Sequence, residues 1–571
     1  MTPELGAPRP RGARLRDVAA ASLPELVWRR EYRRSWLRPD LLAGLTVAAM
    51  LVPQAMAYAE LGGLPPSAGF RAALVALPIY ALIGTSRHLG IGPEPGTAIL
   101  AAAAAVQLAD GDPARYAALM ATIAGLVGVI ALVAGVLRLG FVADLLSKPV
   151  LVGYITGVGL TLLTSQLQAF TGVMIDADNP FARVGQFVTH LDEIDATTIG
   201  VGASTLFVIL VLRRYRPTWP GALIGLGTSM LAVAVFDLDA AVVGDIDAAL
   251  PTFMVPDVGW TDITSLLPAA AGVALIGYTD NILTARSIAG KQGYDIDANR
   301  ELVALGAMNA AGSMSGGFAM SSSASRSAVP ASIGSKSQAT SVVAFAVVIG
   351  FLVVGTSVLA EIPRAGLAAV IVSAAIAVID VEGFRRIAAL SRSEAALAGV
   401  TCLAVIGVDL LTGVLVAVGL SLLLTLARVA RPHDAILGAG AGLDGWISID
   451  DERAQVLPGL LVYRFDGPLF FANGEYFLER VREALDTNPG EESSVVLDME
   501  GIGSIDTTAV EHLADLIDEL DESDIVVSFA RANRKVLDLL TRAGIVDRIG
   551  TDRVFPTINA AVDDHRRRAM P

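Results

Sequence analysis

Long apolar runs separated by short polar joints fill the chain from residue 41 to residue 428. They fall at 41–61, 69–84, 92–108, 117–138, 146–172, 197–212, 219–236, 264–286, 301–312, 324–334, 339–360, 365–379, 395–408 and 410–428. A helix that crosses a bilayer needs about 20 residues of this kind, so the pattern predicts about fourteen membrane segments. Two segments are too short or too polar to cross alone. The third opens on Gly92-Pro93-Glu94-Pro95-Gly96-Thr97, and the tenth on Gly316-Gly317-Phe318-Ala319-Met320 followed by Ser321, Ser322 and Ser323. They stand seven segments apart. Interrupted helices at matching places in two halves point to an inverted repeat with a binding site between them.

Past residue 432 the period changes. Short strands are predicted at Leu460–Arg464, Ser494–Leu497 and Ile525–Phe529, and amphipathic helices at Ala472–Asp486, Thr508–Glu519 and Ala532–Ala543. That alternation predicts a small α/β domain. The expected division is an N-terminal segment (1–40), a multi-pass α-helical membrane domain (41–430) and a C-terminal α/β domain (431–571).

Composition sharpens this division. Of 571 residues, 53% are hydrophobic but only 6% aromatic, with 56 Gly, so the apolar mass is aliphatic and small. Small residues let helices approach closely in lipid. With 17% charged residues the chain is neither an ordinary soluble enzyme nor disordered. From His433 onward there are 13 Lys and Arg against 27 Asp and Glu; the remainder carries 29 against 30. The net charge of −15 therefore belongs to the C-terminal block, and no basic stripe supports nucleic-acid binding. The single cysteine, Cys402, excludes a disulfide framework. Five scattered histidines show no ligand spacing, so no metal site, cofactor or enzymatic centre is expected. Nine arginines precede the first span, with no cleavable signal pattern. By the positive-inside rule the N-terminus is cytoplasmic, and an even number of spans returns the C-terminal domain there. Arg428 and Arg431 after the last span agree with that side. The Arg566-Arg567-Arg568 triplet reads as a solvated tail.

An oxyanion held within a membrane needs oriented donors, and two half-helices ending at the midplane supply them. Ser321, Ser322, Ser323 and Ser325 are expected to cap the tenth segment and offer hydroxyls. Arg326 is suited to oxyanion recognition; the plainer reading is a snorkelling arginine among caps. Gln54 carries an amide that is costly in a membrane interior, which favours a site role over packing. Asp280 lies deep in an apolar run, and Thr284 falls one turn later on the same face. The plainer reading of Asp280 is a buried pair with Arg286.

The stretches Asp40-Leu-Leu-Ala-Gly-Leu-Thr-Val-Ala, Val52-Pro-Gln-Ala-Met-Ala-Tyr-Ala59 and Gly63-Leu-Pro-Pro66 resemble the first-span signature of the SulP (sulphate permease, solute carrier 26) anion transporters. Asp280-Asn-Ile-Leu-Thr-Ala-Arg-Ser-Ile and Gly306-Ala-Met-Asn-Ala-Ala-Gly are similar to that family's eighth and ninth spans. Ala472-Asn-Gly-Glu and Ile505-Asp-Thr-Thr-Ala resemble its STAS domain. The resemblance leans to the actinobacterial sulphate-permease branch. It implies seven-plus-seven inverted segments in core and gate domains, elevator-type transport of small inorganic anions, and a homodimer in the bacterial plasma membrane. It places Gln54, Tyr58, Glu94, Ser323, Ser325 and Arg326 at the anion, and Asp280 with Thr284 at the coupling ion. Glu94 departs from the apolar residue of animal members. A carboxylate there repels an anion unless protonated or paired with Arg326.

The expected function is proton-coupled sulphate transport. The alternatives are sodium-coupled bicarbonate or proton-coupled dicarboxylate transport, where Asp280 and Thr284 resemble a sodium site. A nucleobase permease and a transport-dead signalling module are disfavoured by the STAS domain and by Gln54, Glu94, Asp280 and Arg326. Thr507 matches the phosphorylated serine of soluble STAS relatives, while helix capping by Thr507 or Thr508 is the simpler reading. A cytoplasmic partner of the STAS domain is the remaining expectation.

Overall fold

The computed structural model describes residues 32–145, 147–177, 179–217, 219–244, 250–354, 356–408, 410–440, 445–487 and 493–569. Most of the 1–40 segment, with its arginines through Arg30, lies outside them. The chain divides into two compact units, Met1–Ser421 and Leu422–Pro571.

The membrane unit runs through α1 (Leu37–Leu61), α2 (Pro66–Ile83), α3 (Pro95–Val106), α4 (Pro113–Val136), α5 (Lys148–Ser165), α6 (Leu167–Thr171), α7 (Pro180–Thr189), α8 (Ala196–Tyr215), α9 (Gly221–Phe236), α10 (Trp260–Gln292), α11 (Ala298–Ser313), α12 (Ala324–Ile333), α13 (Ala339–Val354), α14 (Thr356–Ala360), α15 (Arg364–Val378), α16 (Val381–Leu390), α17 (Arg392–Gly407) and α18 (Leu410–Ala430). Each predicted run meets one helix of this series, except 146–172, which holds α5 and α6, and 339–360, which holds α13 and α14. Helices α7 and α16, each of 10 residues, were not anticipated. Among the described residues six helices are long and apolar enough to span a bilayer by themselves. Proline opens α2, α3 and α4, where its missing N–H costs nothing. Asp112, Asp195 and Asp297 cap α4, α8 and α11.

Glycine sets the helix spacing. A Cβ on Gly69 of α2 would stand 1.9 Å from the Ala55 carbonyl oxygen of α1. One on Gly153 of α5 would stand 2.2 Å from the Ala398 carbonyl oxygen of α17. Only glycine permits such backbone approach. The packing sorts the helices into two groups. One gathers α1, α2, α4, α10, α11, α12 and α13; the other gathers α5, α8, α9, α15 and α17.

Both half-helices enter through a two-residue strand. β1 (Ile91–Gly92) pairs antiparallel with β2 (Ser321–Ser322), Ile91 opposite Ser322 and Gly92 opposite Ser321. Two chain breaks far apart in sequence are thereby joined by backbone bonds.

The C-terminal unit carries β3 (Asp434–Gly440), β4 (Trp446–Ser448), β5 (Ala454–Gln455), β6 (Leu460–Phe465), α19 (Gly474–Thr487), β7 (Ser494–Asp498), α20 (Thr507–Glu522), β8 (Val526–Ala530), α21 (Arg534–Arg542), α22 (Ile545–Ile549), β9 (Val554–Phe555) and α23 (Ile558–Ala569). The sheet order is β4-β3-β6-β7-β8-β9, parallel from β6 to β9, with β3 antiparallel to β6. The three predicted strands and helices are present; β3, β4, β5, β9, α22 and α23 are additional. The arginine triplet is solvent-exposed as expected, but helical. It lies on α23, where Arg567 and Arg568 bond to Asp564 at 3.4 and 2.8 Å, and α23 docks on the sheet through Ile558, Ala561 and Val562.

Two measurements test these packing arguments. Gly69→Ala should lower the stability of the membrane unit by at least about 1–3 kcal/mol, the ordinary cost of overpacking, because the opposing atom is backbone. Size-exclusion profiles and melting of the purified protein would read this. In the C-terminal unit the His565 ring meets the Ser494 hydroxyl at 3.0 Å, and burial holds the imidazole below the usual histidine range. The folded unit then binds that proton less readily than the unfolded chain. Its stability is full above pH ~6.5 and falls as the pH drops below that value. His565→Gln should flatten this pH dependence in calorimetry of the full chain.

Candidate functional site

The tip of α12 is where the serines and Arg326 separate. Ser323 is the N-cap residue but makes no side-chain cap bond. Its hydroxyl instead meets Ser325 Oγ at 3.0 Å. Ser325 is exposed and Ser323 half-buried, so this hydroxyl pair faces accessible space. Ser321 Oγ donates to the Gly277 carbonyl at 2.8 Å. The expected serine capping is therefore corrected: the short strand β2 holds Ser321 and Ser322 in extended backbone, out of reach of the helix N–H groups.

Arg326 faces the opposite way and is fully buried. Its Nη1 donates to Gln54 Oε1 at 2.7 Å and its Nη2 to the Pro93 carbonyl at 2.9 Å. Arg326 lies against the other half-helix entry: a Cβ on Gly90 would come within 2.8 Å of the Arg326 Cβ, and one on Gly92 within 3.3 Å of its Nη2. Arg326 is thus not a snorkelling residue. It ties the first span to the two breaks. Gln54 spends its amide oxygen on the same tie.

At the third segment Glu94 is the N-cap of α3, and its carboxylate accepts the Thr97 N–H at 2.9 Å. It forms no ion pair with Arg326. Tyr58 is buried on α1 and faces both Arg326 and Glu94. Asp280, half-buried on α10, has neither a hydrogen bond nor an ion pair. It does not meet Arg286: six residues along a helix turn the side chain about 240° away. Thr284 is half-buried one turn from Asp280. Asp280 and Glu94 lie close enough to affect one another electrostatically.

Several residues here escaped the sequence reading. Asn309 accepts the Met320 N–H at 2.8 Å and donates to the Met320 carbonyl at 3.0 Å, pinning the unwound stretch before β2. Thr97 Oγ1 donates to the Ala319 carbonyl at 3.2 Å. Tyr154 of α5 is 5% exposed with an unpartnered hydroxyl. Glu301 is fully buried and accepts five hydrogen bonds, from Tyr80 Oη, Thr85 N and Oγ1, Ser86 N and Asn281 Nδ2. A paired polar residue in an amphipathic run carries no sequence signal of its own. Among the described residues no group of His, Cys, Asp and Glu is arranged to hold a metal ion.

In the C-terminal unit Asp506 caps α20, accepting from Ala509 N at 2.8 Å and Phe471 N at 2.9 Å. Capping by Thr507 or Thr508 is thereby corrected, because Asp506 holds the extended cap position. Thr507 is exposed as the first helical residue.

The family model described as the sulfate permease family matches residues 37–401. The chain belongs to this family. The STAS domain model matches residues 453–561. The chain is similar to a probable sulfate transporter of Mycobacterium tuberculosis, 44% identical over 555 residues, covering 96% of this chain and 99% of that protein. It is also similar to probable sulfate transporter 4.2 of Arabidopsis thaliana, 31% identical, covering 96% and 84%. Its fold matches the murine solute carrier 26 member A9 anion transporter in the inward-facing state, with a TM-score of 0.88 at 25% identity, covering 98% and 96%. The transmembrane domain of a cyanobacterial bicarbonate transporter matches with a TM-score of 0.59 over 69% of the chain. The family is one of multi-pass membrane transporters with a C-terminal STAS domain.

The geometry separates two kinds of site residue. Arg326→Ala should lower stability by about 2–5 kcal/mol, since Gln54 and Pro93 lose a charged donor in a dry interior. Ser325→Ala should change it by less than about 0.5 kcal/mol, as an exposed substitution does. Thermal unfolding of the two purified variants checks the difference.

Proposed function

We propose that the protein is a secondary active transporter of small inorganic anions, sulphate foremost, that couples anion uptake to protons by elevator-type alternating access. The observation that carries this reading is the meeting of α3 and α12. Their entry strands pair, so two positive helix ends address one region, with the Ser323 and Ser325 hydroxyls on accessible space beside them. Sulphate is favoured by the names of the mycobacterial and plant relatives. Gln54 and Arg326 set the frame, and Tyr58 and Glu94 face it.

Asp280 is the coupling residue on this reading. A carboxylate at membrane depth with no partner is an expense the fold carries for a function. Protonated, it is neutral and no longer repels Glu94 or the incoming anion. Helices α5, α8, α9, α15 and α17 form the static gate; the half-helices move with the other group. The protein sits in the bacterial plasma membrane as a homodimer, its N-terminus and STAS domain in the cytoplasm. Exposed Thr507 and the acidic STAS surface offer that domain to a regulatory kinase or partner.

Proteoliposome uptake of labelled sulphate, bicarbonate and fumarate tests this reading, with pH and sodium varied separately. An inward proton gradient should drive sulphate accumulation in the parent. Asp280→Asn should retain counterflow at equal pH yet lose accumulation, at least about tenfold. Accumulation by Asp280→Asn as high as the parent's would remove Asp280 from coupling. Acceleration by sodium at constant pH would instead give Asp280 and Thr284 to a sodium ion.

A further inference from the structure

Helix α3 does not present a vacant N-terminus. Glu94 Oε2 already accepts the Thr97 N–H at 2.9 Å. It lies across the first turn, 3.0 Å from where a Cβ on Gly96 would stand. On the transport reading above, this turn offers N–H groups to an external anion, and a carboxylate of the chain itself now holds one.

A capping carboxylate alone would be ordinary. The second observation is Tyr154, on a helix of the opposite packing group. Its hydroxyl is buried without a hydrogen-bond partner. That hydroxyl lies 3.4 Å from the same Gly96 Cβ position, so Tyr154 Oη and Glu94 Oε2 flank one point at the helix tip. A buried hydroxyl left unpaired is costly, and a ligand supplying an acceptor would recover that cost. The groups facing Glu94 are Arg326 from α12, Asp280 from α10, Tyr58 from α1 and Tyr154 from α5. Arg326 directs its Nη groups to Gln54 and Pro93 and forms no ion pair with Glu94, so none fixes the carboxylate in place. Glu94 is also partly accessible. It has room to leave and water from which to take a proton.

We propose that Glu94 is a tethered competitor of the transported anion: its carboxylate fills the N-terminal seat of α3, and a free oxyanion enters by displacing it and taking the Tyr154 hydroxyl. The inference rests on the transport reading and adds a determinant of selectivity to it. Protonation of Glu94 weakens its hold on the Thr97 N–H and removes its repulsion of the anion, so displacement is easiest when it is neutral. A divalent tetrahedral oxyanion, with more acceptors to offer the helix end than a carboxylate has, displaces it more readily than a monovalent one.

The test is equilibrium binding of radiolabelled sulphate to the full chain in lipid nanodiscs between pH 5.5 and 8. One proton taken up per anion tightens parent binding by about tenfold for each pH unit lowered. Glu94→Gln, a neutral mimic of the same shape, should bind at least about tenfold tighter than the parent at pH 8 and lose that slope. Glu94→Ala opens a carboxylate-sized seat. There, added acetate should raise the apparent sulphate Kd at least about fivefold more than it does in the parent. Glutamine and alanine variants that keep the parent's affinity and slope would overturn the inference and leave the transport reading standing. A slope abolished in Asp280→Asn but retained in Glu94→Gln would also overturn it. A parent that binds none of sulphate, bicarbonate or fumarate at any pH would overturn the transport reading, and the inference with it.

Discussion

A chain that breaks two helices inside a membrane frees backbone N–H and C=O groups where no lipid can bond them. The whole membrane unit is organised around that constraint. The breaks before α3 and α12 satisfy each other. Beyond the β1–β2 pairing, Ser323 N–H donates to the Gly90 carbonyl at 3.0 Å, and Gly90 N–H donates to Ser327 Oγ at 2.8 Å. The Pro93 carbonyl takes Arg326, and the Ala319 carbonyl takes Thr97. Each of these bonds joins the first half of the unit to the second. The two helix ends are consequently held in register by the same bonds that make the breaks tolerable. On the transport reading, that shared register is what seats the anion.

This economy decides what the charged residues do. An arginine in a dry interior needs partners for its donors; Arg326 bonds through both Nη groups to protein oxygens, and its buried Nε has no partner. Its charge biases the region while its hydrogen bonds hold the frame. On the proposed transport reading, direct reception of a ligand falls to the exposed serine pair, the backbone of two helix ends and the Tyr154 hydroxyl.

The same distinction explains what could be read in the chain and what could not. The spans were legible because a bilayer imposes length and apolarity on each run separately. The half-helices were legible because Gly and Pro interrupt two of those runs at matching places. Glu94, Arg326, Gln54 and Asp280 stood out as costly in lipid. Their pairing did not, since the Arg326–Gln54 bond joins residues 272 positions apart and Tyr154 reaches the α3 tip from another helix. Local competition also hid details. Asp506 outranks Thr507 as a cap because a carboxylate accepts the free N–H groups while sitting one residue earlier. Strand β3 was missed because its Ile436-Leu437-Gly438-Ala439-Gly440 end breaks both period and propensity.

The neighbouring residues Asp280 and Asn281 on α10 show how one helix can serve structure and function together. Asn281 points to Glu301, whose carboxylate is closed by five donors from α2, the segment after it, and α10 itself. Glu301 is a tie: removing any one donor leaves four, and the anion stays satisfied. Asp280, one residue earlier and turned by about 100°, has no donor at all. A carboxylate bonded five times would surrender those bonds on taking up a proton or a cation. A carboxylate without bonds surrenders nothing, which suits the coupling role proposed for it. The contrast between these two acids, set by the pitch of a single helix, separates the residue that holds α10 in place from the one left free to respond.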